Sequence, residues 1–180
     1  GIETLTEITV VKDRYAEIRR YTFTNNSDQD IDLELTTYSE PVLAQHTHDE
    51  NHRVFNSMNI FSEYDPEHQL LIFSKPVPDA RERRYFVMHS LYVPDQAEAA
   101  DQPDPNDWSD LVEYETSRIK FLGRGGSLQH AAIIEGHRTL TGTVGTTLDP
   151  IMSMRRRIHL PKGKQATVIA LTGFGKAREQ

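Results

Sequence analysis

The amino-acid sequence predicts an all-β fold, a large antiparallel β-sandwich. Three observations predict it: apolar residues recur with a period of two rather than 3.6, polar turns separate these segments at short intervals, and no long amphipathic helix is evident. Strands joined by polar turns without intervening helices are typical of two packed antiparallel sheets. A chain of 180 residues is long enough for one domain with a substantial core. Because its first residues already have the pattern of a strand, we expect residues 1–180 to be a single β-sandwich domain cut from a larger multidomain protein.

The first strands are predicted from alternating apolar residues. The segment 2–12 alternates in part, and 17–25 (EIRRYTFTN) places apolar side chains near alternate positions. Residues 25–28 (NNSD) indicate a turn, because Asn and Asp tolerate the left-handed conformation. Alternation resumes over 30–40, with apolar residues on one face and polar residues on the other. We therefore expect 17–25 and 30–40 to pair as a hairpin with one buried face.

Further strands are predicted along the rest of the chain. Residues 57–64 and 69–76 flank an Asp-Pro turn and form a second expected hairpin. Residues 84–93 are aromatic and β-branched enough for another strand. Residues 151–160 and 165–175 flank a Pro-Lys-Gly-Lys turn, so we expect them to form the last hairpin.

An acidic loop over residues 95–107 separates these groups of strands. It bears proline and alanine, and we expect it to stand out from the body of the domain. Trp108 follows it and is the best candidate for stacking against a sugar, although most aromatic residues at strand positions belong to the core. Short helices around 107–114 or 128–134 are compatible with the sequence.

The composition excludes several classes of protein. No cysteine is present, so disulfides, thiolate metal sites and cysteine nucleophiles are excluded. The formal net charge of -7 argues against a nucleic-acid surface. No segment approaches the roughly 18 apolar residues of a membrane span, and the first residues do not have the pattern of a signal peptide. We expect no nucleic-acid partner and no membrane insertion, and neutral hydroxyl-rich ligands fit better than polyanions.

Three histidines cluster in the segment QHTHDENH. His46, His48 and His52 stand beside Asp49 and Glu50, which are residue types that bind metals. On an extended segment, histidines two residues apart point to one side, but a zinc site also needs partners that orient the imidazoles. Loops between strands collect His, Asp and Asn for turn chemistry alone. We therefore favour a solvated loop over a metal site.

Signatures of catalysis are weak. No Gly-x-Ser-x-Gly motif of a serine hydrolase is present. With 27 Asp and Glu residues, some carboxylates lie near each other by chance, so their number does not indicate the carboxylate pair of a glycosidase. We expect no catalytic residue and no cofactor in this chain.

The segment YETSRIKFLGRGGSL combines three glycines with Arg118, Lys120 and Arg124, a composition that could bind a phosphate or a sugar. Its glycine spacing matches neither the dinucleotide fingerprint nor the phosphate loop of nucleotide-binding proteins. We interpret the glycines at 123, 125 and 126 as positions of positive φ and close backbone approach in a sharp turn that presents Arg124.

Three ordered blocks then resemble a known family. Residues 17–44, 114–128 and 140–178 resemble the N-terminal β-sandwich of the glycosyltransferase-36-type proteins. These are the cellobiose, cellodextrin and chitobiose phosphorylases and, more closely, the cyclic β-1,2-glucan synthases. The most specific pieces are FLGR (121–124), LTGTVG (140–145) with LDP (148–150), and the Pro161-Lys162-Gly163 turn. The chain departs from the family at His130-Ala131, where we would look for a proline.

The resemblance implies a supersandwich of the galactose-mutarotase-like kind. In the family, this sandwich packs against an (α/α)6 barrel that carries the catalytic aspartate and most of the phosphate site. A barrel needs a dozen long helices, and this sequence has none, so the resemblance places the catalytic residues outside the chain.

The resemblance to the cyclic glucan synthases further implies a parent protein in the bacterial inner membrane, which would polymerise, cyclise and trim a β-1,2-glucan. The chain would be a soluble, non-catalytic, carbohydrate-associated module on the cytoplasmic side. Its expected partners are the barrel and a glucan or oligosaccharide, with Arg124, Trp108 and Arg118 as ligand or interface candidates. Exposed edge strands would also favour a homodimer.

A free-standing mutarotase-like sugar epimerase is the alternative. It would need a histidine as acid and a glutamate as base on a concave sheet face. His89 lies within a predicted strand whose neighbours are mainly apolar, so a buried structural role is at least as consistent with the sequence. The motifs favour the module.

Overall fold

The structure, a computed structural model, describes residues 1–76, 84–94 and 111–176. The described strands are β1 (Ile2–Val10), β2 (Ala16–Asn25), β3 (Ile31–Thr36), β4 (Phe61–Asp65), β5 (Leu70–Ser74), β6 (Phe86–Tyr92), β7 (Glu113–Ser117), β8 (Gly145–Thr146), β9 (Pro150–Leu160) and β10 (Gln165–Gly175). The described helices are α1 (His46–Met58), α2 (Arg118–Leu122) and α3 (Ala132–Glu135). In this part of the chain no helix is long and apolar enough to cross a membrane.

The strands form two antiparallel sheets, which confirms the predicted β-sandwich. One sheet has seven strands in the order β1-β2-β10-β6-β5-β4-β8, and the other has three in the order β3-β9-β7. The main core lies between them and includes Leu71, Phe73 and Leu91 from the first sheet with Met152 and Met154 from the second. Alternating apolar residues therefore do meet across a dry interface, as their period predicts.

Strand β9 is buried on both faces. Met152, Met154 and Ile158 pack in the main core, whereas Ile151, on the other face, belongs to a second cluster. That second cluster also contains Phe121 and Leu122 of α2, Ile133 of α3 and Leu140. The two short helices and the segment before β8 thus cover the outer face of the small sheet.

Two of the expected hairpins are wrong. Strands β2 and β3 lie in different sheets, and so do β9 and β10. β2 pairs with β1 and β10, while β3 pairs with β9. Each turn between these strands therefore carries the chain from one sheet to the other. The expected pairing of 57–64 with 69–76 is confirmed for β4 and β5, although residues 57 and 58 belong to α1.

The buried side chain of Asn25 explains both crossings. Its Nδ2 donates to the carbonyl oxygens of Gln29 (2.8 Å) and Leu160 (3.0 Å), and its Oδ1 accepts from the amide of Ser27 (2.9 Å). Its backbone amide donates to Lys164 and its carbonyl accepts from Gly163. One fully buried asparagine thus ties the two sheet-crossing turns into a single corner. A turn signal in the sequence marks where the chain reverses, but not which strand it meets afterwards.

Residues 46–58 form a helix, so the expected loop around the histidines is wrong. The helix has a kink at His52, where φ is -137°. Its one buried side chain is Asn56, which accepts hydrogen bonds from Lys75 Nζ (2.8 Å) and donates to the carbonyl of His48 (3.2 Å). Of the two expected short helices, α3 overlaps 128–134, whereas Glu113 and Tyr114 begin β7. The acidic loop 95–107 lies outside the described residues.

Candidate functional site

Two of the most specific blocks of the family resemblance, FLGR and LTGTVG with LDP, come together on the outer face of the small sheet. We call this surface the α2 region, and define it as α2, the loop 123–131, α3 and residues 140–149. Phe121 and Leu122 anchor it to the body of the domain, since both are buried in the second cluster with Leu140. Sequence blocks separated by many residues therefore build one continuous surface.

A fully buried carboxylate fixes the segment LTGT to β7. One oxygen of Glu115 accepts hydrogen bonds from the amides of Thr116 (3.1 Å) and Ser117 (2.9 Å). The other accepts from the amide (3.3 Å) and the hydroxyl (2.6 Å) of Thr141. The register of β7 against β9 shifts between Glu115 and Ser117, which takes amides out of the ladder. Glu115 satisfies these amides and holds the neighbouring segment at the same time.

A second buried carboxylate lies two residues earlier in β7. Glu113 Oε2 accepts from the amide of Leu140 (2.8 Å) and lies 3.6 Å from Nη1 of Arg155. The buried guanidinium of Arg155 also donates to the carbonyl of Arg138 (2.7 Å) and to Thr36 Oγ1 (2.9 Å). This network joins β3, β7 and β9 to the chain entering LTGT. Both buried glutamates therefore serve to position the backbone.

The glycine-rich turn has the geometry that its sequence suggests. Gly123 and Gly125 have positive φ angles of 81° and 73°. Gly126 has no positive φ, but a Cβ built on it would lie 2.0 Å from the carbonyl oxygen of Leu122. Positions 123 and 125 require glycine because their φ angles are positive. Position 126 requires glycine because the backbone of a neighbouring residue approaches it closely. The side chain of Arg124 is exposed at the tip of this turn.

Replacing Gly126 by alanine is expected to destabilise the domain by about 2–3 kcal/mol, because the new methyl group must displace backbone rather than a flexible side chain. The matched control is Gly125→Ala in the same turn. There a Cβ has nothing within 4 Å, so only the unfavourable φ remains, and we expect a loss of about 1 kcal/mol. Urea unfolding of both variants measures the difference. Equal losses would contradict the close approach at Gly126.

Arg118 is held by two carboxylates. Its Nη1 lies 3.1 Å from Asp149 Oδ2 and 3.5 Å from Glu40 Oε1, and its amide donates to the carbonyl of Asp149. Tyr38 donates its hydroxyl proton to Glu40 (3.0 Å), and burial together with this hydrogen bond raises the pKa of Tyr38 to about 12. Arg53 of α1 pairs with the other oxygen of Glu40 at 2.6 Å. Arg118 thus connects the start of α2 to the Leu148-Asp149-Pro150 block.

The three predicted site residues therefore have different surroundings. Arg118 is ion-paired, Arg124 has no hydrogen bond or ion pair to any part of the chain that the structure describes, and Trp108 lies outside the described residues. Lys120 Nζ, the remaining cation of the segment, donates to Thr143 Oγ1 at 2.7 Å. The basic side chains at 118 and 120 support the turn, whereas that of Arg124 projects from it.

The three histidines of α1 do not converge on one point, although the ring centroids of His48 and His52 lie 5.2 Å apart. Residues two apart on a helix point to different sides, so the geometry expected for an extended segment does not apply. His46 lies 3.4 Å from Glu50, while His48 Nδ1 lies 3.0 Å from Asn56 Oδ1. Within residues 1–76, 84–94 and 111–176, no group of three or more histidine or acidic side chains is arranged to hold a metal ion.

His89 is buried between two hydroxyl groups. Its Nε2 lies 2.8 Å from Thr37 Oγ1 and its Nδ1 lies 3.0 Å from Thr172 Oγ1. Burial lowers the pKa of His89 to about 4, so the imidazole is neutral at physiological pH. Both ring nitrogens therefore face hydroxyl groups of the chain itself.

Sequence analysis missed the roles of Glu113, Glu115 and Arg155. The signal in the sequence was the presence of acidic and basic residues at inward positions of β7 and β9, two strands that are otherwise buried. A buried charge has to be paired or hydrogen-bonded, so such positions predict an internal network even when its partners are unknown.

Comparison with known proteins agrees with this architecture. The family model described as glycosyl hydrolase 94, supersandwich domain, matches residues 1–180. The cyclic beta-(1,2)-glucan synthase NdvB of Rhizobium meliloti (strain 1021) is 34% identical over 173 residues, which are 96% of this chain and 6% of that protein. The chain therefore spans a small part of the length of this curated relative. With its two antiparallel sheets and its match over the whole length, the chain belongs to the supersandwich-domain family of glycosyl hydrolase 94.

Proposed function

We propose that this domain is a non-catalytic, carbohydrate-associated module of a cyclic β-1,2-glucan synthase or a related glycoside phosphorylase, where it supports a separate (α/α)6 catalytic domain. The observation that carries the proposal is the α2 region, in which two of the family-specific blocks form one surface with an exposed arginine at its tip. The 6% coverage of NdvB supports a place within a much longer chain.

The state of the carboxylates supports a non-catalytic role. A general acid must reach a substrate oxygen within hydrogen-bonding distance. Glu113 and Glu115, the buried acids beneath the α2 region, instead accept hydrogen bonds from the chain's own amides. Glu40 and Asp149 are engaged by Arg118. The hydrogen bonds and ion pairs of these carboxylates therefore stabilise the α2 region itself.

Arg124 is the proposed contact with the partner domain. Its turn is fixed by glycine geometry on one side and by buried Phe121 and Leu122 on the other. A guanidinium binds carboxylate and phosphate groups through two parallel hydrogen bonds. We propose that it binds an acidic group of the (α/α)6 domain, or a glucan or phosphate bound at the rim of that domain, while Arg118 positions the turn.

The location of the parent protein belongs to the same proposal. A cyclic glucan synthase of this kind would reside in the bacterial inner membrane, with this domain on the cytoplasmic side. A homodimer formed through exposed edge strands, as expected from the sequence, belongs to the proposal as well.

The surroundings of His89, the best candidate for the catalytic histidine, do not support the alternative function of a sugar epimerase. A catalytic histidine needs a ring nitrogen directed at the substrate and a pKa near the working pH. His89 is 4% exposed, both of its nitrogens face threonine hydroxyls, and its pKa is far below neutrality. The geometry favours a structural role for His89.

Binding to a separately produced (α/α)6 domain of a family glucan synthase tests the proposal. We expect calorimetric titration to detect an association that Arg124→Ala weakens by about 10-fold or more, which is the effect of losing a charged hydrogen bond. Arg14→Ala is the matched control, because Arg14 is also exposed but lies in the turn between β1 and β2, and we expect its affinity to equal that of the wild type.

Two assays of the chain alone complete the test. We expect no release of glucose 1-phosphate from β-1,2-gluco-oligosaccharides with phosphate, and no acceleration of aldose mutarotation. Either activity would overturn the non-catalytic assignment. Equal weakening by Arg124→Ala and Arg14→Ala would overturn the role of Arg124. Titration with β-1,2-gluco-oligosaccharides beside cello-oligosaccharides then distinguishes a sugar contact from a contact between domains.

A further inference from the structure

The second half of helix α1 carries its apolar side chains on the outside. The one buried side chain of this helix is the polar Asn56, whereas Val54, Phe55 and Met58 are exposed. On a helix, residues three and four positions apart lie side by side, so Val54 and Phe55 are both neighbours of Met58. Phe61, the first residue of β4, is exposed as well and lines the same cleft as Met58. We call Val54, Phe55, Met58 and Phe61 the α1 patch.

The α1 patch does not belong to the interior of the domain. Neither of the two core clusters formed by the described residues includes any of its four members. Single exposed apolar residues are normal on a soluble protein, but several neighbouring ones indicate a surface that another molecule or domain covers. None of the four side chains carries a nitrogen or oxygen atom, so none can bond to the hydroxyl groups of a sugar. The patch therefore fits an apolar protein surface better than a glucan.

The α1 patch is continuous with the α2 region. Glu40 joins the two, because its carboxylate pairs with Arg53 of α1 at 2.6 Å and with Arg118 of α2 at 3.5 Å. Phe61 is the register partner of Thr146 in β8, which belongs to the α2 region. A cleft of about 240 Å³, lined in part by Phe61 and Thr146, lies at this junction. A single partner can therefore cover both surfaces.

The α2 region has exposed apolar side chains of its own. They are Ile119, Leu128, Ile134, Val144 and Leu148. Protein interfaces pack apolar side chains at their centre, and arginine is enriched among their residues. The apolar side chains of the two surfaces, together with Arg124, therefore have the composition of one protein interface.

We propose that the interface with the partner domain extends from the α2 region over the α1 patch, and that the partner covers this patch with apolar side chains. The inference rests on the proposed function, in which the partner is the (α/α)6 domain. In such a contact the burial of apolar area contributes to affinity, whereas a charged contact at Arg124 contributes to orientation and specificity. The two contacts therefore respond differently to substitution.

Titration of the chain with the separately produced (α/α)6 domain tests the inference. Val54→Lys places a charge in the covered patch, and we expect it to weaken the association by about 10-fold or more. Val10→Lys is the matched control, because the two valines are 73% and 72% exposed but Val10 ends strand β1, outside both surfaces. We expect this control to bind like the wild type. Lysine is compatible with an exposed helix and an exposed strand, and a thermal melt confirms that both variants fold.

The heat capacity of binding distinguishes the apolar contact from the contact of Arg124. Burial of apolar surface makes the heat-capacity change of binding negative. We expect Phe55→Ser to make this change smaller in magnitude, because Phe55 is a large exposed side chain of the patch. Arg124→Ala should weaken binding while leaving the heat-capacity change close to that of the wild type.

The outcomes separate this inference from the proposed function. Wild-type affinity of Val54→Lys, together with weakened binding by Arg124→Ala, would overturn the inference and leave the proposed function in place. Equal weakening by Val54→Lys and Val10→Lys would also overturn the inference, because the added charge would then act without regard to its position. A wild-type chain that does not associate with the (α/α)6 domain would overturn both.

Discussion

Replacing Glu115 by alanine is expected to destabilise the domain by about 3–5 kcal/mol. The substitution leaves the buried amides of Thr116 and Ser117, and the amide of the more exposed Thr141, without their acceptor. It also creates a cavity beneath the α2 region. Chemical denaturation measures the loss, and faster hydrogen exchange at Thr141 would show that the LTGT segment is released.

Two variants serve as controls for Glu115→Ala. Glu135→Ala removes a carboxylate from an exposed pair with His130, and its cost should stay within about 0.5 kcal/mol. Glu115→Gln retains the volume and one acceptor oxygen, so it should lose less than the alanine variant. If Glu115→Ala lowered the free energy of unfolding no more than Glu135→Ala does, the buried carboxylate would not hold the LTGT segment.

Acidification from pH 6.5 to pH 4 is expected to reduce the free energy of unfolding by about 3 kcal/mol through His89 alone. Burial lowers the pKa of His89 to about 4, whereas an unfolded histidine titrates near 6.5. Between these values the unfolded chain binds a proton that the folded chain does not. The contribution is fully present above pH 6.5 and is lost as the pH falls towards 4.

Comparing the wild type with His89→Gln isolates this effect, because the carboxylates that titrate in the same range are common to both proteins. Urea unfolding at several pH values should show that the stability difference between them shrinks by about 3 kcal/mol on acidification. A pH-independent difference for His89→Gln would mean that His89 is accessible to protons in the folded state.

Much of the fold could be predicted because it depends on local patterns. The alternation of apolar residues located most strands, and a short turn at 65–69 joined β4 and β5 correctly. That β2 pairs with β10 in one sheet, and β3 with β9 in the other, could not be obtained in this way. A polar turn reverses the chain whether it closes a hairpin or crosses between sheets, and only the buried Asn25 reveals which of the two occurs.

The candidate site was predicted in part for a similar reason. The glycines near Arg124 indicated a tight turn, since glycine tolerates dihedral angles that other residues avoid. The helix at 46–58 was missed because its sequence is histidine-rich and only weakly apolar, and was therefore interpreted as a solvated loop. Nothing in the spacing of Glu115 and Thr141 indicates that they are bonded, since 26 residues separate them.

The sequence by itself thus determined the β class, the positions of most strands and the tight turn that presents Arg124, because these depend on neighbouring residues and on their period. The tertiary structure decided which strands pair, which charges are buried and which edge remains open. Those features depend on long-range contacts: Asn25 meets Leu160, Glu115 meets Thr141, and β1 meets β2 but no further described strand. The free energy of such contacts arises only when distant segments exclude water together, and no short stretch of sequence contains that information.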